Sequence, residues 1–322
     1  MFRVLITGGA GFIGSILADE LLKKNNFVLS VDNFDPYYSK DIKLANIKSN
    51  IENPNYKFIE LDIRDTNSLK KTLEENNIEF IFHLAARPGV RTSIEDPKAY
   101  MDININGTLS VLNASLKSNV KKIIYSSSSS VYGKSQYLPL DEKHPTNPIS
   151  PYGISKLTAE KCIHFFEKTY GVKSVILRYF SVYGPRQRPD EVVYKFTKLI
   201  VENKPITIYG SGNQTRDFTS VFDIVNGTIL AMTKKTSSGI FNLGFGNRIS
   251  VNKLISILEN VTGKKTKKIY MKKQIGDVYN TLSNIQKAKK ELGYKPKVDI
   301  INGVDLFYRW FKENVIGSDS HF

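Results

Sequence analysis

Thr7-Gly8-Gly9-Ala10-Gly11-Phe12-Ile13-Gly14 follows directly on an apolar run, Phe2 to Ile6, and opens a segment patterned as a helix. The glycines are spaced G-x-x-G-x-x-G, between an expected strand and an expected helix. Residues without a Cβ let the chain turn tightly there and let a pyrophosphate approach the backbone at the helix N-terminus. Gly8, Gly11, Gly14 and the first helical residues Phe12 and Ile13 are therefore candidate cofactor contacts. Asp32 closes the second expected strand, where a carboxylate hydrogen-bonds the adenosine ribose and repels a 2′-phosphate. With Asn33 beside it, this favours NAD over NADP. Asp62 and Ile63 end the third strand, where an adenine edge would lie. Leu84, Ala85 and Ala86 end the fourth, small enough to leave room for the pyrophosphate. His83, just before them, reads as a packed strand histidine.

Outward from that loop, the first half alternates short apolar runs with amphipathic segments. Strands are expected at about 2–6, 27–31, 57–60, 79–83, 121–126 and 173–179, and helices at about 12–24, 66–76, 97–117 and 151–170. This pattern predicts an α/β fold, a Rossmann-type doubly wound parallel sheet with helices on both faces. Beyond about Pro185 the pattern loosens into shorter elements. The expected division is a dinucleotide-binding domain over 1–182, with the chain returning at about 217–246. A smaller substrate-binding region then comprises 183–216 and 247–322.

A second chemical stretch runs from Tyr125 to Lys156. Five serines, Ser126 to Ser130, follow an apolar strand and precede Val131-Tyr132-Gly133. Then comes S-P-Y-G-I-S-K, in which Ser150 can cap a helix and Pro151 suits its first turn. Tyr152 and Lys156 are i and i+4, so both side chains leave one helix face. An ammonium near a phenol favours the phenolate and lowers its pKa from about 10. The pair reads as an acid/base, with a serine hydroxyl at the strand end able to bond the same substrate oxygen. A lone Y-x-x-x-K is common on helix surfaces, so the glycine loop and Asp32 carry the decision.

Composition sets the outer bounds. The 322 residues are 41% hydrophobic and 24% charged, ordinary for a globular enzyme able to bury a large core. No apolar run approaches a membrane span, and the N-terminus enters a strand without a signal-peptide pattern. One cysteine, Cys162, excludes an internal disulfide and fits a reducing cytoplasm. No His/Cys/Asp cluster has metal-ligand spacing, so no metal is expected. The net charge of +15 comes from 46 Lys and Arg against 31 Asp and Glu. The lysines fall in scattered pairs, Lys234-Lys235 and Lys264-Lys265 among them, without a basic tail or a nucleic-acid module. They read as solvated faces rather than as a polyanion site.

Together, TGGAGFIG, Asp32, HLAA from His83, the serine run with VYG, and YGISK resemble the extended short-chain dehydrogenase/reductase family over nearly the whole chain. Within it the sequence is similar to the nucleotide-sugar 4-epimerases, most of all to those acting on UDP-glucuronate. That narrower likeness rests on D-N-F-D-P-Y-Y from Asp32, P-G-V-R-T-S from Pro88, R-Y-F-S-V-Y-G-P-R-Q-R-P-D from Arg178 and Q-I-G-D-V from Gln274. The resemblance implies that Tyr152 takes the sugar 4-OH proton and that Lys156 holds the nicotinamide ribose. Ser128 would share the substrate oxygen, with Ser127 and Ser129 as neighbouring alternatives in the count. Ser126, Asn104 and Tyr179 would lie at the cofactor, Arg216 at the diphosphate and Asp277 at the uridine ribose.

Dehydratases similar to this chain carry T-D-E before V-Y-G, and decarboxylases carry Glu directly before it. Here Ser129 and Ser130 stand at the acid positions, which disfavours both reactions. Reversible oxidation at C4 remains, through a 4-keto sugar, with NAD unchanged at the end. Arg91, Arg188 and Ser181 are candidates for a uronate carboxylate, since a guanidinium suits that group. Gln274-Ile275, where other epimerases carry Arg-Pro, tips the reading toward UDP-glucuronate. UDP-glucose or UDP-N-acetylglucosamine 4-epimerase activity is the alternative, and a non-catalytic dinucleotide- or RNA-binding role is a third. The resemblance also implies a homodimer through helices 97–117 and 151–170. The polar tail Gly317–Phe322 is expected to fray.

Overall fold

The structure, a computed structural model, describes residues 1–234, 238–274 and 276–317. Lys235, Ile275 and the tail from Ser318 onward, all named above, lie outside the described residues. Seven parallel strands form the central sheet: β1 (Arg3–Thr7), β2 (Phe27–Asp32), β3 (Tyr56–Glu60), β4 (Phe80–His83), β5 (Lys122–Ser128), β6 (Ser174–Tyr179) and β7 (Gly239–Leu243). Their order is β7-β6-β5-β4-β1-β2-β3. The chain builds outward from β1 through β2 and β3, then returns to lay β4 on the other side of β1. At that reversal the connections leave in opposite directions, and a crevice opens beyond the carboxyl ends of β1 and β4. The six expected strands are all present. The seventh, β7, comes from the Gly/Asn-rich second half and pairs with β6 in register from Gly239↔Val175 to Leu243↔Tyr179.

Each strand alternates its side chains between two buried faces, as a doubly covered sheet requires. On β1, Val4 and Ile6 join one core with Leu17, Leu21 and Ile224, beneath helices Phe12–Lys23 and Val221–Thr233. Leu5 joins the other, with Leu69, Leu112 and Ile163, beneath helices Thr66–Glu75, Gly107–Ser115 and Pro151–Tyr170. Each such side chain contributes about 1.5–3 kcal/mol on burial. A third core, including Val193, Ile206, Leu254, Leu258 and Phe307, holds helices Val192–Val201, Val251–Thr262 and Ile300–Phe311 together. Among the described residues no helix is long and apolar enough to cross a membrane.

Two helices position the site. Pro151–Tyr170 begins as its sequence predicts: Pro151 is in the first turn and Ser150 Oγ accepts from the Gly153 N–H at 3.1 Å. It ends at Gly171 with φ +71°. The segment expected as one helix over 97–117 is instead Pro97–Met101, a π-helical turn Asp102–Asn106, and Gly107–Ser115. A π-turn adds one residue to the repeat and re-aims the side chains within it. Asn104 is the buried residue in that turn.

Candidate active site

The crevice continues as one cavity of about 780 Å³ that runs from the glycine loop to the second region. Every candidate site residue read from the sequence lines it except Asn104. Asn104 is buried behind the wall. Its side chain accepts from the Arg87 N–H (2.7 Å) and donates to the Arg87 carbonyl (3.1 Å) and Ser155 Oγ (2.9 Å). It therefore ties the loop after β4 to helix Pro151–Tyr170 and supports the cavity wall without touching the cavity.

At the β1 end the backbone is shaped for close approach. Gly8 sits at φ +73°, and a Cβ on it would meet the Ala85 backbone nitrogen at 2.8 Å. A Cβ on Gly14 would fall 2.2 Å from the Gly8 carbonyl. Helix Phe12–Lys23 has no side-chain cap at Gly11, so its first N–H groups are left to face the cavity. Tyr38 Oη, buried and without a hydrogen-bond partner among the described residues, lines the same end. Bare helix amides, an orphaned hydroxyl and a glycine cradle together fit the pyrophosphate of NAD.

Asp32 lies beside them, nearly buried. Its Oδ1 accepts from the Phe34 N–H at 2.9 Å and lies 3.4 Å from Lys43 Nζ. Among the described residues Oδ2 has no partner, which leaves it for a ribose hydroxyl. The buried Lys43 was not legible as a site residue, since only the packing of helix Lys40–Ile47 brings it back to β2. Asn33 donates to Asp62 Oδ2 at 2.9 Å, joining the ends of β2 and β3. Arg64 is the main reason that the Asp62 carboxyl is held down at about 2. Asp32→Ala is expected to raise the Kd for NAD about tenfold or more, because it removes a ribose acceptor and leaves Lys43 unpaired. Calorimetric titration of stripped protein measures this, and an unchanged Kd would remove Asp32 from the cofactor site.

The serines of the run differ in their partners. Ser127 Oγ donates to Glu160 Oε1 at 2.5 Å and is buried. Ser129 starts the 3-10 turn Ser129–Val131. Ser128, at the end of β5, lines the cavity with Tyr152 and favours ionisation of its phenol. It also donates to Ser130 Oγ at 3.1 Å. The expected lowering of the Tyr152 pKa is not what the isolated chain shows. Burial raises it, while Ser128 and the Arg188 charge pull it back. Lys156 donates to the Ser126 carbonyl at 2.7 Å and lies over the Tyr125 ring, so its ammonium is engaged away from the phenol. Burial brings the Lys156 pKa down to about 7. The helix spacing put the two residues on one face, and the depth of the crevice decides their charge.

His83 is a structural histidine, as expected, held between Thr7 Oγ1 (2.8 Å) and Thr108 Oγ1 (3.0 Å). Tyr179 Oη pairs with Thr228 Oγ1 at 2.7 Å while its ring lines the cavity. The Ser181 carbonyl accepts from the Thr219 N–H, and its side chain borders the cavity.

At the far end, Arg216 donates to the carbonyls of Thr215 (2.9 Å), Tyr279 (3.1 Å) and Val278 (2.8 Å). All three acceptors are neutral, so a positive charge remains for a diphosphate. Arg91 and Asp277, given separate roles above, form an ion pair at 2.9 Å, and Arg91 lies over the Tyr209 ring. Arg91 is thus held by Asp277, away from the groups around Ser128. Arg188 is the arginine whose charge reaches Tyr152. It is bound by Asp190 and Glu191, which sequence reasoning did not single out.

Residues 5–307 match the family described as GDP-mannose 4,6 dehydratase. A UDP-glucuronate 4-epimerase of Thermodesulfobacterium geofontis is 42% identical over 313 residues, covering 97% of this chain and 96% of that one. Among solved structures, the UDP-glucuronic acid 4-epimerase of Bacillus cereus, in complex with UDP-glucuronic acid and NAD, is 39% identical. It superposes with a TM-score of 0.93 over 97% of this chain and 99% of its own. The UDP-glucose 4-epimerase of Thermotoga maritima, solved with UDP-glucose, is 36% identical with a TM-score of 0.91, over 98% and 100%.

Proposed function

The chain belongs to the extended short-chain dehydrogenase/reductase family, and from that premise we propose that it is an NAD-dependent 4-epimerase of a UDP-sugar, with UDP-glucuronate to UDP-galacturonate as its reaction. The observation that carries this is the lining of one cavity by Tyr152, Lys156 and Ser128 together with a turn, Ser128–Ser130, that offers hydroxyls and no carboxylate. A dehydratase or decarboxylase needs an acid at that turn. An epimerase needs only a base for the 4-OH and a route for its proton.

Bound NAD supplies a reversible hydride acceptor. The chain's residues do the remainder. Tyr152 takes the 4-OH proton as C4 becomes a ketone and returns it when the opposite face is reduced. Ser128 hydrogen-bonds the same oxygen in both states. Lys156, displaced from the Ser126 carbonyl, holds the nicotinamide ribose and supplies the positive charge that favours the phenolate. Arg216 holds the diphosphate and Asp277 the uridine ribose, so the sugar alone turns over between half-reactions. Ser181 and Arg188 meet the sugar at C5. The dinucleotide domain is 1–182 with the return at about 217–246, and the remainder builds the sugar-nucleotide region. Ile154 and Phe165, exposed three turns apart on one face of helix Pro151–Tyr170, support a homodimer through that face, which light scattering during gel filtration checks. The lone thiol, Cys162, suits a cytoplasmic setting.

Purified protein incubated separately with UDP-glucuronate, UDP-glucose and UDP-N-acetylglucosamine, with chromatography of the products, tests the reading. UDP-galacturonate from the first is expected. Conversion of a neutral sugar alone keeps the chemistry and overturns the substrate. No conversion of any, with NAD retained, overturns both.

A further inference from the structure

At the sugar end of the cavity Arg188 is held by carboxylates that the 4-epimerase reading does not use. Arg188 Nε donates to Asp190 Oδ1 at 3.0 Å, and its Nη2 donates to Asp190 Oδ2 at 3.2 Å and to Glu191 Oε1 at 2.5 Å. One guanidinium thus faces two carboxylates. They are not held equally. Asp190 also accepts from Tyr37 Oη at 3.1 Å, which anchors it from the loop after β2. Among the described residues Glu191's carboxylate has Arg188 as its only partner. Its side chain keeps 36% of its surface open, on the cavity that Tyr152 and Ser181 also line. Glu191 is at the N-cap of helix Val192–Val201, yet its side chain caps nothing. Its carboxylate therefore caps no helix and, among the described residues, is held by Arg188 alone.

Resting on the UDP-sugar reading, we propose that Glu191 is a specificity-determining residue that occupies Arg188 as an internal carboxylate and sets the preference between a uronate and a neutral hexose. A uronate carboxylate reaching Arg188 meets a second negative charge on the same guanidinium, in a crevice where charges are poorly screened. Binding it requires Glu191 to leave, since Asp190 is the anchored partner. A hydroxymethyl group at C5 makes no such demand. It can donate to Glu191 or accept from Arg188 with the pair intact.

The test uses the holoprotein with NAD retained and calorimetric titration with two probes, UDP-glucuronate and UDP-glucose, for wild type, Glu191→Gln and Glu191→Ala. The ratio of the uronate Kd to the hexose Kd is expected to fall about five- to tenfold in Gln, and at least as far in Ala. Parallel changes for both probes, or a weaker uronate in either variant, overturn the proposal. The ratio is read by binding, so it decides the role of Glu191 even if the wild type epimerises only a neutral sugar. That result would sink the UDP-glucuronate reading alone.

Discussion

Tyr152→Phe is expected to lower kcat by about a thousandfold or more while leaving NAD bound and the fold intact. The substitution removes one oxygen. The ring keeps its edge contact with Tyr100, 6.3 Å between centroids, and the glycine loop and Asp32 are untouched. What is lost is the phenol whose ionisation Ser128 favours, and with it the group proposed to take and return the 4-OH proton. The product assay on the variant, beside the absorbance of retained cofactor, separates chemistry from binding. Retained turnover with normal NAD content would move the proton transfer to another group in the cavity.

The second large effect concerns the fold beneath the site. Glu160 on helix Pro151–Tyr170 receives Arg178 of β6 through two bonds, Nη2 to Oε2 at 2.6 Å and Nε to Oε1 at 3.0 Å, and Ser127 as well. Both charged side chains are buried, 3–4% exposed. Glu160→Ala leaves a guanidinium enclosed without its carboxylate, and loss of one member of such a pair costs about 3–5 kcal/mol. The melting temperature is expected to fall by about 4–7 °C. Replacing both, Glu160→Leu with Arg178→Met, removes the unpaired charge and should restore much of the loss. A calorimetric scan of the single and double variants checks this. If the single substitution shifts the melt by only a degree or two, the pair contributes little. Because Ser127 is tied to Glu160, the single variant also tests whether this bond fixes Ser128 one residue along. A fall in kcat in protein still folded at the assay temperature is expected.

Much of the architecture was legible because its causes are local. The apolar alternation of β1 through β6, the capping of a helix by Ser150 with Pro151 behind it, and Tyr152 and Lys156 one turn apart all follow from near neighbours. The glycine spacing likewise carries its own backbone requirement. The seventh strand was harder to read, since Gly239–Leu243 interrupts its apolar residues with a glycine and an asparagine and lies in a Gly/Asn-rich stretch. The π-turn at Asp102–Asn106 has no signal in a sequence patterned as plain helix.

The amino-acid sequence by itself therefore determined the sheet and the helix faces from which the chemistry is displayed. The tertiary structure alone decided how the charges are shared. It gave Ser127 to Glu160 and Ser128 to Ser130, set Lys43 against Asp32, paired Arg91 with Asp277, and bound Arg188 between Asp190 and Glu191. It also raised the Tyr152 pKa that the one-turn spacing had suggested would be lowered. Periodicity acts over a few residues. Ion pairing and desolvation depend on which distant segments the packed core brings within a few ångströms, and no local pattern encodes that distance.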